Sequence, residues 1–402
     1  MPVYAHRFVH SLFSLCPGEL VLSVALVSLG GVAAGAGILS LQNRQQEIRR
    51  LLAAGLPLSA ALLAFCLGDW ALLWALPHLR ISFSTEIMLP LVASFFVRLL
   101  VFWGLLGAML LAQQREKCRW TPGRATMILF FAANLGFSAV QVDAYAVEPL
   151  LVETTELSLA FDDLDPAAPP LRVVQITDTH IERSGHREAT VVRQVNALQP
   201  DIILLTGDYL NLSCLDDPTS AAHFRQFIAQ LQAPYGIYAV RGSVEPMRES
   251  MASLIEGTDI VWLEQEAVTL NVRGQAVTLV GVDCSHNLEL DTARLEQALE
   301  GVPADAFTLL LYHSPDLIHE ASAQQVDLYL GGHTHGGQIC LPFYGALVTA
   351  SIYGKQYESG LFQKGETTMY ISRGLGFEGG GMPRARFLCR PEVVAIELTA
   401  AR

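Results

Sequence analysis

The chain has 402 residues, enough for two or three domains, and 51% of them are apolar. A formal net charge of -13 excludes a general nucleic-acid binder, because neutralising phosphates needs a basic face. The apolar residues are unevenly spread: Leu, Ala, Val, Phe and Gly dominate residues 1–145, and residues 146–402 alternate short apolar runs with polar turns.

Taken in chain order, Leu20 to Leu41 carries no charge and is long enough to cross a bilayer, for which about 20 apolar residues suffice. Leu51 to Leu76 predicts a second span interrupted by Asp69, Leu89 to Ala112 a third interrupted by Arg98, and Thr126 to Val142 a shorter fourth. The first run has a weak charged leader and lacks a small-residue cleavage site, so it is expected to be a retained span. The loop after the first span holds Arg44, Arg49 and Arg50, and the loop after the third holds Arg115, Lys117, Arg119 and Arg124. The opposite side offers only Arg7 and Arg80. Positive loops stay in the cytoplasm, so residues 1–145 predict a multi-pass anchor of about four helices, with the C-terminal domain outside the cytoplasm. That orientation requires an even number of spans. Asp69 and Arg98 are expensive in lipid and are expected to face each other, and Gly31-x-x-x-Gly35 offers a helix-packing face.

A linker containing Glu148, Pro149 and the acidic, proline-rich stretch Asp162 to Pro170 is expected to lead away from the membrane. Leu171 to Thr177 then predicts a buried strand ending in Asp178-Thr179-His180, with a helix over Arg187 to Leu198. A second strand, Asp201 to Leu205, ends in Thr206-Gly207-Asp208, and a helix over Ala221 to Leu231 leads to a third, Ile237 to Val240, ending in Arg241-Gly242-Ser243. Val277 to Val282 and Phe307 to Tyr312 continue the pattern, the latter ending in His313. Tyr370 to Ser372 and Val393 to Leu398 are expected to close the sheets. This alternation predicts an α/β domain with its polar residues at strand carboxyl ends, where open α/β sheets place ligand sites.

The most informative stretch follows the apolar run Val326 to Leu330 and reads Gly331-Gly332-His333-Thr334-His335-Gly336-Gly337-Gln338. Glycines let the backbone turn tightly and approach a ligand, and imidazoles are the commonest metal ligands. Collected from the strand ends, Asp178, His180, Asp208, His313, His333 and His335 make a mixed carboxylate and imidazole set that suits Mn, Fe or Zn better than calcium or magnesium. Six ligands fit two metals sharing a carboxylate. Metals about 3.5–4 Å apart can bind phosphoryl oxygens and hold a bridging hydroxide for in-line attack. Of seven cysteines, Cys16, Cys66 and Cys118 fall in or near the apolar third and Cys214, Cys284, Cys340 and Cys389 in the rest. No Cys-x-x-Cys occurs, so a structural zinc knuckle is not expected, and any disulfide pairing stays open.

The order Asp178-x-His180, Gly207-Asp208, His313 and Gly332-His333-x-His335 resembles the calcineurin-like metallophosphoesterases. The stretches Gly332 to Gln338, Ser372-Arg373-Gly374-Leu375-Gly376 and Arg390-Pro391-Glu392 resemble the bacterial membrane-attached branch of that superfamily. The resemblance covers roughly Val147 to the C-terminus. It implies a four-layer αββα sandwich over 146–402, following the all-α transmembrane region, with a dinuclear centre between the sheets and the whole in the bacterial inner membrane. It further implies that Asp178, His180 and His335 hold one metal, that His313 and His333 hold the other, and that Asp208 bridges. Asp208, His333 and His335 would then serve catalysis. His186, His223, His286 and His319 match no motif position and are expected to be surface or packing residues.

At one point the sequence departs from the pattern. Where the family has Gly-Asn-His-Asp or Gly-Asn-His-Glu, this chain has Gly242-Ser243-Val244-Glu245. Serine is a weaker ligand than asparagine and valine cannot transfer a proton, so the second metal site is expected to be weak, with Glu245 as a stand-in. The leading reading is a membrane-anchored phosphoesterase that cleaves a phosphodiester or pyrophosphate on a lipid-linked or cell-envelope substrate. The alternative is a degenerate member that binds metal or phosphate as a sensor or scaffold. A third reading, a transporter regulated by the domain, rests on Asp69 and Arg98 alone.

Overall fold

The computed structural model describes residues 17–41, 45–83, 87–114, 122–245, 248–378 and 384–401. Of the residues singled out in the sequence, Arg7, Cys16, Arg44, Arg115, Lys117, Cys118 and Arg119 lie outside them. Four long helices come first: α1 (Pro17–Leu41), α2 (Gln45–Ala75), α3 (Met88–Gln114) and α4 (Pro122–Val142). All four are long and apolar enough to cross a membrane, and the fourth apolar stretch extends through a π turn and a 3₁₀ turn, so that it covers Arg124–Leu150. Leu22, Leu26, Leu100, Leu111, Ile128 and Leu129 remain exposed on these helices, as lipid-facing residues would be.

Asp69 and Arg98 do face each other. Arg98 Nε donates to Asp69 Oδ2 at 2.6 Å and Nη2 to Oδ1 at 2.5 Å. Its remaining donors reach the Asn134 side chain (2.9 Å), Ser138 Oγ (2.9 Å) and Gln141 Oε1 (2.9 Å) on α4. Gly31 packs under Trp103 of α3, where a Cβ would come within 1.7 Å of the indole.

The rest of the chain, from Ala144 onward and including Arg80–Phe83, forms a second unit. One six-stranded sheet runs in the order β1 (Glu153–Phe161), β14 (Glu392–Ala400), β2 (Leu171–Ile176), β3 (Ile202–Leu205), β4 (Ile237–Ala239), β5 (Ile260–Trp262). The other runs β12 (Gly360–Lys364), β13 (Thr367–Ile371), β9 (Leu328–Gly331), β8 (Thr308–Leu311), β7 (Gln275–Val282), β6 (Gln265–Val272). Strands β2 to β5 are mutually parallel, as are β13, β9, β8 and β7. The sheets pack face to face through Val173, Ile202 and Leu204 from one and Leu279, Leu309 and Leu330 from the other. Helices α5 (His186–Leu198), α6 (Pro218–Ile228) and α7 (Arg248–Ile255) cover the outside of the first sheet. Helices α8 (Leu288–Leu299) and α9 (Ile318–Ala323) cover the second. This is the expected αββα sandwich.

The linker expectation fails over Glu153–Phe161. That segment is β1, an edge strand paired in parallel with β14 from the far end of the chain, and its half-buried alternation is the period-2 pattern of an edge strand. Glu148 is buried too, and its carboxylate accepts the N–H groups of Leu388 and Cys389. Cys66, Cys214, Cys284, Cys340 and Cys389 are all free thiols.

Candidate metal centre

Each candidate ligand stands just past a strand end. Asp178 and His180 follow β2, Asp208 follows β3, His313 follows β8, and His333 and His335 follow β9. The parallel strands on both sides of the sandwich thus deliver side chains to one rim. The loops are knitted together by the backbone: Asp178 N–H donates to Gly207 O (3.0 Å), His180 N–H to Asp208 O (3.1 Å) and Gly332 N–H to His313 O (2.7 Å). The Ser372 to Gly376 stretch closes over them, with Gly376 N–H on Asp178 O at 2.6 Å. Arg373 ties that stretch to Glu392, its N–H at 2.9 Å and Nη2 at 3.0 Å from the carboxylate.

All six residues come together, in two triads. Asp178, His180 and His335 form one and Asp208, His313 and His333 the other, each offering ligand atoms within 4.8 Å of one another. In the first, His180 Nε2 and His335 Nε2 are 3.1 Å apart and His335 Nε2 is 3.4 Å from Asp178 Oδ1. In the second, His313 Nε2 lies 3.1 Å from both His333 Nδ1 and Asp208 Oδ2. Asp208 Oδ2 is also 3.8 Å from His180 Nε2, so one carboxylate faces both triads.

The backbone here is strained. Asp178, His180, Asp208, His333 and His335 all have left-handed φ values, of 50°, 40°, 58°, 70° and 52°. Each costs a non-glycine residue about 1 kcal/mol or more, and such strain gathers at functional sites. Close packing fixes two glycines behind the ligands. A Cβ on Gly332 would meet Asp178 Oδ2 at 2.1 Å, and one on Gly242 would meet Asp208 Oδ1 at 2.2 Å.

Electrostatics divides the residues. Burial, and then the neighbouring His313, hold His333 down to about 3, and burial with His180 and Arg386 holds His335 well below the usual imidazole value. Both are therefore neutral, with lone pairs to offer. Burial opposes charge on His313 as well, but Asp208 outweighs it and raises the imidazole to about 10. Asp208 is correspondingly held well below the carboxylate range, against its own burial. Burial raises Asp178. His313 Nδ1 is 2.7 Å from Thr206 O, which fixes Nδ1–H as donor and points Nε2 into the site. Buried imidazole nitrogens that confront each other at 3.1 Å beside two carboxylates make a donor set that suits a divalent metal pair with mixed N and O ligands.

The Ser243-Val244 departure takes a definite form. The N–H groups of Ser243 (2.6 Å) and Val244 (3.0 Å) donate to Asp208 Oδ1, and Ser243 Oγ lies 3.0 Å from Oδ2. The Val244 side chain is buried. Glu245 is no stand-in ligand: its carboxylate accepts the N–H groups of Asp208 (3.2 Å), Tyr209 (2.7 Å) and Gly242 (3.1 Å) and braces the loop. Burial, with Asp208 beside it, raises this carboxyl to about 7.

Three contributors escaped the sequence reading. Glu378 Oε2 lies 3.2 Å from His180 Nδ1, close enough for an ion pair though not aligned as a hydrogen bond. Arg386, fully buried, donates to the carbonyls of Arg373 (2.8 Å) and Gly374 (3.1 Å) and lies 3.5 Å from His335 Nδ1. His286, expected to be surface or packing, sits with its ring centroid 4.8 Å from that of His333. No motif marks any of the three; long-range folding alone brings them in. His223 meets Ser184 and His319 meets Tyr353, both away from the triads.

Two paired triads at the rim of an αββα sandwich define a class, that of dimetal phosphoric ester hydrolases. The family model described as calcineurin-like phosphoesterase matches residues 171–337. The uncharacterised metallophosphoesterase YkuE of Bacillus subtilis is 32% identical over 63% of this chain and 87% of its own length. The UDP-2,3-diacylglucosamine pyrophosphatase LpxG of Chlamydia trachomatis is 26% identical, over 61% of this chain and 89% of its own. A bovine transmembrane protein with a metallophosphoesterase domain is 29% identical, over 64% and 59%. The chain belongs to the calcineurin-like phosphoesterases, and is a metal-dependent phosphoric ester hydrolase.

Proposed function

We propose that this protein is a membrane-anchored hydrolase of the bacterial membrane-attached branch, cleaving a phosphodiester or pyrophosphate in a lipid-linked or other cell-envelope substrate. The observation that carries the reading is Asp208, whose Oδ2 faces both triads at 3.1 and 3.8 Å. Asp178, His180 and His335 would hold one divalent ion, His313 and His333 the other, and Asp208 both. Mn, Fe or Zn suits the donors. When bound, such a pair polarises the phosphoryl group and lowers the pKa of water for attack.

The chain's own residues do the rest. Ser243 and Val244 hold Asp208 in place through their N–H groups. Because Val244 carries no proton, departure of the leaving group relies on a good leaving group or on His286. General acid catalysis is worth about 10²–10⁴-fold, so a pyrophosphate, with its stabilised leaving phosphate, suits this site better than an alkyl ester. A Chlamydia relative is named as a pyrophosphatase of a diacylated nucleotide sugar, which supports a lipid-linked substrate and favours catalysis over the sensor reading.

We place the division between the anchor and the catalytic domain near residue 145 and the domain outside the cytoplasm. The basic loops support this orientation.

The test is hydrolysis of a chromogenic phosphodiester by the purified full chain. Chelation should abolish turnover and Mn or Zn restore it. Losing a metal pair worth several kcal/mol should cost Asp208→Asn about 10³-fold at 1.36 kcal/mol per decade. Equal turnover by wild type and this variant would sink the proposal.

A further inference from the structure

Five residues after His335, the chain turns through a small hairpin that belongs to neither main sheet, β10 (Cys340–Leu341) and β11 (Gly345–Ala346). The hairpin and the loop after it hold their apolar side chains away from the core. Leu341, Tyr344, Leu347, Val348 and Ile352 are 45–66% exposed, and Phe343, at the tip with a left-handed φ of 65°, is fully exposed. Scattered exposed apolar residues are ordinary, but a contiguous run of this kind marks an interaction surface.

Continuity along the chain argues where this surface lies. The fourth candidate span runs on to Leu150, and Ala144 O within it accepts the Arg386 N–H at 2.9 Å. The next residue, Phe387, donates to Gln338 O (2.9 Å) and accepts from Cys340 N–H (2.9 Å), and Leu347 N–H reaches Ile339 O (3.3 Å). The hairpin is thus tied, one backbone ladder removed, to the segment by which the chain leaves the apolar helices. Its polar trim is that of a membrane interface: Lys355 Nζ sits 3.6 Å from the Tyr344 ring centroid and also donates to Tyr344 O. Amphipathic aromatic rings with lysine at their edge settle at the headgroup level, with apolar neighbours below.

We propose that the Leu341–Ile352 hairpin inserts its apolar face into the bilayer that holds α1 to α4. This puts a lipid-contacting surface directly after the metal-ligand loop. The inference rests on the four helices being membrane spans and is independent of which phosphorylated substrate is cleaved.

The full chain, reconstituted in phosphatidylethanolamine and phosphatidylglycerol vesicles with a trace of phospholipid bearing an acyl-chain diazirine, would be irradiated and mapped by peptide mass spectrometry. The four helices serve as the positive control, and β12, with its exposed Leu361, as the negative one. Peptides covering 339–353 should carry at least about tenfold more lipid adduct than β12, as expected for side chains partitioned into the acyl region. The triple variant Phe343→Ser, Leu347→Ser, Val348→Ser should lose that labelling while the helices keep theirs and a soluble phosphodiester is still hydrolysed. Hairpin labelling no higher than that of β12, or unchanged in the triple variant, would overturn the proposal. So would protein–protein adducts in place of lipid at this peptide, which would mean a second copy covers the face. Unlabelled helices would instead overturn the reading of the helices as spans.

Discussion

The two units each bury a polar cluster, and the clusters differ in kind. Around Arg98 every strong donor has an acceptor: Asp69 takes two hydrogen bonds, and Asn134, Ser138 and Gln141 take the others. Around Asp208 the nitrogens of His180 and His335, and of His313 and His333, confront one another at 3.1 Å on a backbone held in left-handed conformations. A saturated cluster holds structure together, and it leaves nothing for a solute to bind, which counts against the transport reading. Imidazoles that face imidazoles on a strained frame suit a cation better than a structural network does. Burial alone does not separate the two; which atoms face each other does.

Breaking the saturated cluster should have the largest effect on stability. Asp69→Asn leaves the Arg98 charge short of its partner, and breaking a buried pair costs about 3–5 kcal/mol. Thermal unfolding in detergent should show a lowered Tm, largely recovered in the double variant Asp69→Leu, Arg98→Leu, with turnover per folded molecule unchanged. Solute flux that both variants abolish would reverse the contrast.

In the site, Gly332→Ala tests how closely the frame is set. The new Cβ must push Asp178 away from its 2.1 Å position, and a ligand misplaced by about 1 Å can cost about 10²-fold. Steady-state kinetics with metal analysis should show that loss with the fold intact by circular dichroism. Wild-type turnover would mean that Asp178 is not held as described.

Glu378→Gln should weaken metal binding by about 10–100-fold, the usual cost of losing a carboxylate behind a ligating histidine. Metal titration followed by calorimetry reads this directly, and an unchanged affinity would leave Glu378 a bystander. The smallest effect is expected from Ser243→Asn with Val244→His. This variant should speed hydrolysis of substrates with poor leaving groups more than good ones, within the roughly 10²–10⁴-fold span of general acid catalysis. No difference between the two substrate types would show that the pair does not limit the reaction.

Much of the molecule was legible because the signals are local. Four long apolar runs become helices whatever surrounds them, and the buried runs of β2, β3, β7, β8 and β9 read as strands without knowledge of their partners. The six candidate ligands stood out because each follows such a run. β1 did not, since a half-buried edge strand alternates weakly and its partner β14 lies more than 200 residues along the chain. Glu245 was misread for a related reason: sequence shows a carboxylate at the right position, but only the fold shows it spent on three backbone N–H groups.

By itself, then, the sequence pointed to the apolar helices, to most of the buried strands and to the candidate metal-ligating side chains, because hydrophobic periodicity and residue chemistry act over a few positions. Tertiary structure alone decided that Asp208 faces both triads, that Glu378, Arg386 and His286 join them, and that an apolar hairpin is tied by backbone hydrogen bonds to the stretch that follows α4. Those facts depend on which distant strands pair and how closely glycine lets them approach, and no short-range pattern in the chain encodes either.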